Sequence, residues 1–414
     1  MVHKVVLSCE TVTPLLSRSI VQRNGRYDFE LRPQSIKGMM HFWFRALAPT
    51  VIDPHQYQGK KQKFLGIKKL EELIFGSTEH RSSFSISVAW DSNRIKNVSE
   101  LLEGKEKYVF RNALFGTYPM GNTGAYYSYL DPQSSLEVTF RFRRTCSESL
   151  REFVISLFVL LVYYGGLGAK THHGFGSIKI NRMSGINIDK TFPKMPDTAA
   201  KRLIDFINET DSRNESFALK DQITMFSDLN ADEFPNLVHA SEMIRFQNMN
   251  SWKEIIRAIV AMRSRDGKPA TPWARLKLEA LRGYNTPNDI MDDFREVLFR
   301  RKSLRNTLVI KPSIMGLPIN YQRIGEHKGK VGKDRVSVTN IVYGEPGRKA
   351  SPIYISIQVD KNNKYFARLL LMASMISESR KNGSPILKVE INNRSYEALG
   401  NEDFENLWHR IGRN

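Results

Sequence analysis

The segment GGLGAKTHHGFGSIKI, Gly165 to Ile180, decides how the first half of this chain is read. It follows an apolar run, Val154 to Tyr164 (VISLFVLLVYY), and its last residues alternate as a strand does. A capping-box pattern, Ser149-Leu150-Arg151-Glu152, opens that run as a helix to Tyr164, since the two side chains of such a box satisfy backbone N–H groups of the first turn. A strand is expected over Gly174 to Ile180. The order is therefore helix, glycine-rich loop, strand. Gly166-Leu167-Gly168-Ala169-Lys170-Thr171 begins like G-x-G-x-x-G but ends in Thr171, and a dinucleotide-binding turn must follow a strand and open a helix. A P-loop fails as well: Ala169 precedes Lys170-Thr171 where glycine is required, and Tyr164 stands where the first glycine belongs. No cofactor site is left in the loop.

Three uses of the loop remain open. His172 and His173 could act as general acid and base on RNA, because imidazole titrates near neutral pH; no orienting carboxylate is evident beside them. Gly168, Gly174 and Gly176 could let the backbone approach phosphates and sugars, with Lys170, His172 and His173 adding charge or polar contacts. Finally, Gly165 or Gly166 could simply cap the helix in a left-handed turn, which explains only the first two glycines. Adjacent histidines point apart in extended chain, so no metal is expected.

Outward from the loop, the first ~180 residues read as strands with two helices packed on them, an α+β arrangement. Strand patterns occur at Lys4 to Thr11, Phe84 to Trp90 and Leu136 to Arg143, and a helix at Gln34 to Ala48 is closed by Pro49. Residues 1–185 form a first domain, residues 186–235 a polar linker or insertion with a helix near Ala199 to Asn208, and residues 236–414 a second domain with a helical insertion and basic loops. In the second, strands are expected at Leu237 to Phe246, within Leu308 to Tyr321, at Pro352 to Val359 and at Pro385 to Ile391. Helices are expected from the box Ser251 to Glu254 onward, at Pro287 to Arg301 and at Tyr365 to Arg380.

The chain has 414 residues with 62 Lys and Arg against 43 Asp and Glu, a net charge of +19. Such a surplus argues for a polyanionic partner. The most apolar run is shorter than the ~20 residues of a membrane span, and the N-terminus lacks signal-peptide layout. Two cysteines, Cys9 and Cys146, fit a reducing cytoplasm and exclude a disulfide framework or a cysteine zinc site.

The helix QSIKGMMHFWFRALA concentrates its polar residues. At 100° per residue, Gln34, Lys37, Gly38, His41 and Arg45 fall within an arc of about 100°, and Met39, Met40, Phe42, Trp43, Phe44, Ala46 and Leu47 occupy the rest. Either the strip is a phosphate site, with Gly38 permitting close approach, or it is a solvated face whose glycine packing requires. A second concentration runs from Arg300 to Lys349, with twelve basic residues against Glu326, Asp334 and Glu345. It includes the loop GEHKGKVGKDR, Gly325 to Arg335. Residues 55–69 are a further basic stretch. Tyr126, Tyr127, Tyr129, Tyr321 and Tyr343 are available for base stacking.

LRPQSIKGMMHFWFRAL (Leu31 to Leu47) and GGLGAKTHHGFGSIKI resemble two signatures of the RAMP superfamily of CRISPR-associated proteins, most closely those of the first-subunit family of the type III-B Cmr effector. Arg32, Ser35, Ile36, Lys37, Gly38, Trp43 and Arg45 match the first signature, with Gln34 in place of a small residue. Gly165, Gly166, Gly168, Gly174, Phe175 and Gly176 match the second, in which Lys170, His172 and His173 stand where relatives carry arginine. Met315 to Ile319 and Arg348-Lys349-Ala350-Ser351-Pro352 are similar to G-L-P and R-x-S-S-P elements of a second domain. The resemblance implies two tandem ferredoxin-like (RRM-like) domains. It implies a non-catalytic subunit that helps hold the guide RNA near its 3′ end and the target RNA, beside other Cmr subunits. The RNA-binding residues implied are Arg32, Ser35, Lys37, Gly38, His41, Arg45, Gly168, Lys170, His172, His173, Gly174, Gly176, Arg348, Lys349 and Ser351. The rival within the superfamily is a metal-independent, guide-processing endoribonuclease using His172, His173 or His41.

Overall fold

The computed structural model describes the chain except residues 1–2, 54–63, 104–106, 120–123, 187–194, 212–216, 261–307, 309–318, 323–325, 328–329, 332–334, 343–344, 348–350, 392–393 and 413–414. The expected helix at Pro287 to Arg301, Arg348, Lys349, Tyr343 and much of the Gly325–Arg335 loop lie outside the described residues.

The first half runs β1 (His3–Thr11), α1 (Pro33–Leu47), α2 (Leu65–Phe75), β2 (Phe84–Trp90), β3 (Ser135–Phe142), α3 (Glu148–Tyr164) and β4 (Ile178–Ser184). The sheet order is β2-β3-β1-β4 with every pair antiparallel. With α1 and α3 as crossovers, that is the ferredoxin-like βαββαβ topology. Val5, Leu7 and Cys9 of β1 point into the core. The opposite face of the sheet carries Lys4, Ser8, Glu10, Ser85, Ser87, Glu137, Thr139 and Arg141, with no aromatic ring among its described residues. An RRM reads RNA by stacking bases on sheet aromatics, so this sheet has the topology without that stacking platform.

Helix α3 is apolar all round, and from Phe153 to Tyr164 every residue is buried. A helix of that kind needs cover on every side. α1 lies along one flank, and α4 (Met195–Asp211) packs along another with Ala199, Ala200, Leu203 and Ile207 fully buried. The polar stretch around α4 is thus joined to the first core. Its continuation is tied to α1 through the Leu237 N–H, which donates to Ala46 O at 2.9 Å. The N-cap of α3 is Ser147, whose hydroxyl accepts from the Leu150 N–H, two residues before the expected box.

The second half contains β5 (Ala240–Met249), α5 (Trp252–Val260), β6 (Ile319–Gln322), β7 (Arg335–Val342), β8 (Ile353–Val359), β9 (Tyr365–Met372), β10 (Ser384–Ile391), β11 (Arg394–Leu399) and α6 (Phe404–Gly412). One sheet has the order β5-β9-β8. This is the order of the first three strands of a ferredoxin-like sheet, and among the described residues no fourth strand joins it. A separate sheet pairs β6 with β7, β7 with β10 and β10 with β11. Tyr365 to Arg380, expected as a helix, starts instead with the central strand β9. Ala367, Leu369, Leu370, Leu371 and Met372 are fully buried, and a strand covered on both faces shows no alternation.

The two hydrophobic cores each draw residues from both halves. Phe175 of the glycine-rich loop is fully buried among Trp252, Ile355 and Ile357. The last carbonyls of α3 have no partner within the helix, and the Gln358 side-chain amide donates to Val162 O at 3.3 Å. The Ile357 N–H donates to the Ser177 hydroxyl at 3.0 Å. Gly176 is left-handed at φ +70°, and a β-carbon on it would lie 1.9 Å from Leu167 O. Gly176→Ala is therefore expected to lower stability by about 2–3 kcal/mol, read as a lower denaturant midpoint at unchanged slope.

Candidate nucleic-acid interface on helix α1

Helix α1 begins at Pro33, with Arg32 as an extended N-cap residue, no side-chain cap and no acid in its first turn. Its N-terminal partial positive charge is left uncompensated. Ile36, Met40, Trp43, Phe44 and Leu47 are buried. Arg32, Gln34, Ser35, Gly38 and Arg45 are exposed. A β-carbon on Gly38 would meet nothing within 4 Å. Packing therefore does not require this glycine, although it costs the helix about 1 kcal/mol relative to alanine.

Lys37 is not part of the exposed strip. Its ammonium donates to Phe75 O at 2.7 Å and to Ser82 Oγ at 2.8 Å, and it lies 5.3 Å from the Phe84 ring centroid. Burial lowers its pKa. The residue pins α1 to the end of α2 and the start of β2. His41 Nδ1 and Arg45 Nε both reach Glu71 on α2, at 2.5 Å and 2.9 Å. Burial works to raise the Glu71 pKa, but hydrogen bonds and charge from His41 and Arg45 prevail and lower it.

The glycine-rich loop faces inward. A β-carbon on Gly168 would lie 2.1 Å from Leu16 O, and one on Gly174 would lie 2.8 Å from Ile357 Cδ1. The Leu167 N–H donates to Gly176 O, the Ala169 N–H to Leu16 O and the Gly176 N–H to Pro14 O. Thr171–His173 form one short 3₁₀ turn between Lys170 and Gly174, and the strand begins only at Ile178. His172 lies over Tyr354 with centroids 4.2 Å apart, beside the Ser351 and Ile353 backbone. Its Nδ1 is buried without a partner, and burial lowers its pKa. His173 Nδ1 lies 3.1 Å from Ala113 O, and burial lowers the Lys170 pKa. Ser351 is thus brought to the loop. The α1 strip is not: Trp43, which a β-carbon on Gly165 would touch at 3.1 Å, leaves α1 about 160° round from Arg45. Of the tyrosines, Tyr129 is buried. Tyr127 and Tyr27 carry the Arg18 guanidinium at 5.0 and 4.6 Å from their centroids, a basic–aromatic cluster the sequence reading missed.

Among the described residues no group of His, Cys, Asp and Glu is placed to hold a metal, and no helix is long and apolar enough to cross a membrane. Two stability effects are expected. Gly38→Ala raises stability by about 1 kcal/mol. His172 has a depressed pKa in the folded state, so the unfolded chain binds more protons as pH falls. Its contribution is intact above about pH 6.5 and is lost below it. Urea unfolding of His172→Gln across that range is expected to show a flatter decline toward acid.

Residues 8–179 match the family model of the RAMP superfamily. The CRISPR system Cmr subunit Cmr1-1 of Pyrococcus furiosus is 35% identical over 160 residues, 37% of this chain and 42% of that protein. Subunit Cmr1-2 of the same organism is 36% identical over 80 residues, 19% of this chain and 36% of that protein. The matches thus span less than half the length of these curated relatives. The apo crystal structure of Cmr1 from Pyrococcus furiosus has a similar fold, with TM-score 0.54 and 18% identity over 99% of this chain and 96% of that one. Residues 8–179 are thus similar to the RAMP superfamily, and part of the chain is similar in sequence to Cmr1 subunits of the CRISPR Cmr system.

Proposed function

We propose that this chain is a non-catalytic RNA-binding subunit of a type III-B CRISPR effector. It holds the 3′ region of the guide RNA, target RNA or both, beside other Cmr subunits, in cytoplasmic antiviral defence. Two tandem ferredoxin-like domains with insertions, the second retaining three sheet strands among its described residues, are the architecture of this proposal. The sequence likeness to Cmr1-1 supports the assembly. The observation that carries the ligand is Gly38, a solvent-facing glycine that no internal contact explains, between an uncapped helix start and the exposed Arg45. A glycine there lets a phosphodiester backbone lie against the helix. Arg32 and Arg45 stand about 20 Å apart along it, enough to engage several phosphates.

The inward-facing loop narrows the RNA-binding role to α1. His172 is half-buried with its ring tilted over Tyr354, and His173 is bonded to a backbone carbonyl. Both placements favour structural work over acid–base chemistry. Incubation of the full chain with repeat RNA in the absence of metal is expected to leave the RNA intact; cleavage abolished by His→Ala changes would reverse the reading.

Binding to single-stranded RNA is expected to weaken with salt, at roughly −0.7 in log–log slope per neutralised phosphate. Arg32→Ala/Arg45→Ala is expected to lower that slope by about 1 to 1.5. Gly38→Ala is expected to bind RNA more weakly while melting higher. An affinity indifferent to salt, or unchanged in the double variant, overturns the proposal.

A further inference from the structure

Between α1 and α2 lies a cleft of about 510 Å³, lined by His41, Arg45, Phe64, Lys68, Glu71 and Phe234 among others. Its volume falls in the range of small-ligand sites. Glu71, with a side chain 10% exposed, sits at its base and holds His41 and Arg45 by their inner nitrogens. Arg45 bonds it through Nε, at 2.9 and 3.0 Å to the two oxygens. Arg45 is 59% exposed, and among the described residues nothing bonds its terminal nitrogens. A guanidinium anchored in this way presents the planar fork that suits phosphate.

His41 gives Nδ1 to the same carboxylate. Its ring stacks on Phe75 at 4.0 Å between centroids, which fixes the imidazole plane. Among the described residues Nε2 has no partner. When Nδ1 carries the proton, Nε2 is an acceptor, and a ribose 2′-hydroxyl is a donor of matching size. Phe64 and Phe234 stand edge-to-face, 4.9 Å between centroids, and line the same cleft. They supply the flat apolar surface on which an unstacked base rests.

We propose that this cleft is a pocket for one ribonucleotide of the bound strand, with its base against Phe64 and Phe234. Arg45 takes the phosphate and His41 the 2′-hydroxyl, while Glu71 is the positioning residue that aims both. The proposal rests on the RNA-binding reading above and deepens it. It assigns to the chain a preference for RNA over DNA, which backbone charge alone does not give.

The test uses the full-length chain with a single-stranded RNA of mixed sequence and the DNA of the same sequence. Fluorescence anisotropy is expected to show tighter RNA binding. Arg45→Ala weakens both ligands about tenfold, the loss expected for a hydrogen bond to a charged group. His41→Ala removes the RNA preference while sparing DNA affinity. Photo-crosslinking of wild type with 4-thiouridine in the RNA, mapped by mass spectrometry, is expected to mark Phe64 or Phe234 and needs no variant to fold. Salt-sensitive RNA binding with crosslinks only elsewhere and an unchanged RNA-to-DNA ratio in His41→Ala overturns the pocket and leaves the RNA-binding reading standing. Absence of any RNA binding overturns both.

Discussion

The contact on which this structure depends is backbone against backbone in the glycine-rich loop. Gly166 and Gly176 lie so close that a β-carbon on the first would stand 2.7 Å from the carbonyl oxygen of the second. Leu167 and Gly176 are joined by a hydrogen bond, and Gly176 also bonds Pro14. That crossing turns the chain from the buried end of α3 into edge strand β4. It also presents Phe175 and Ser177 sideways into the second half. Phe175 fills the second core, while Ser177 bonds Thr13 and Ile357. Any side chain at the crossing would separate α3 from β1 and the first half from the second together.

Such a junction leaves few main-chain donors for an outside ligand. The N–H groups of Leu167, Ala169 and Gly176 are all occupied within the chain. RNA phosphates need donors that face solvent. The surface proposed to offer them is α1, whose buried face meets the same junction through Trp43 stacked on Tyr164. The helix thus joins the two roles: one side is held by the loop and the other is open. Lys37 and Glu71 set its orientation. Lys37 fastens it to Phe75 and Ser82, and Glu71 fastens its last two turns through His41 and Arg45.

Local pattern was enough to place α1, β1, β2, β3 and β8, because each has one buried and one less buried face or a bounded apolar run. It failed for Tyr365 to Met372, where burial on both faces removed the period that separates strand from helix. The loop was legible as unusual, since glycine density marks a close approach. What approaches was not legible: Leu16 and Ile357 are far away in the chain. The same limit governed Lys37, polar on a wheel of α1, whose partners lie on segments 38 and 45 residues later.

Gly38 and Gly176 show why glycines of one signature cannot be assigned one role. Both match the RAMP patterns. Replacement at Gly176 collides with Leu167 O, so folding alone accounts for a glycine there. Replacement at Gly38 collides with nothing in the chain, so folding alone would favour alanine. A glycine that costs its helix stability and answers no packing need is open to a use outside the fold. On a face that holds Arg45 and lacks acids in its first turn, in a chain of net charge +19, the proposed RNA strand along α1 has the matching chemistry.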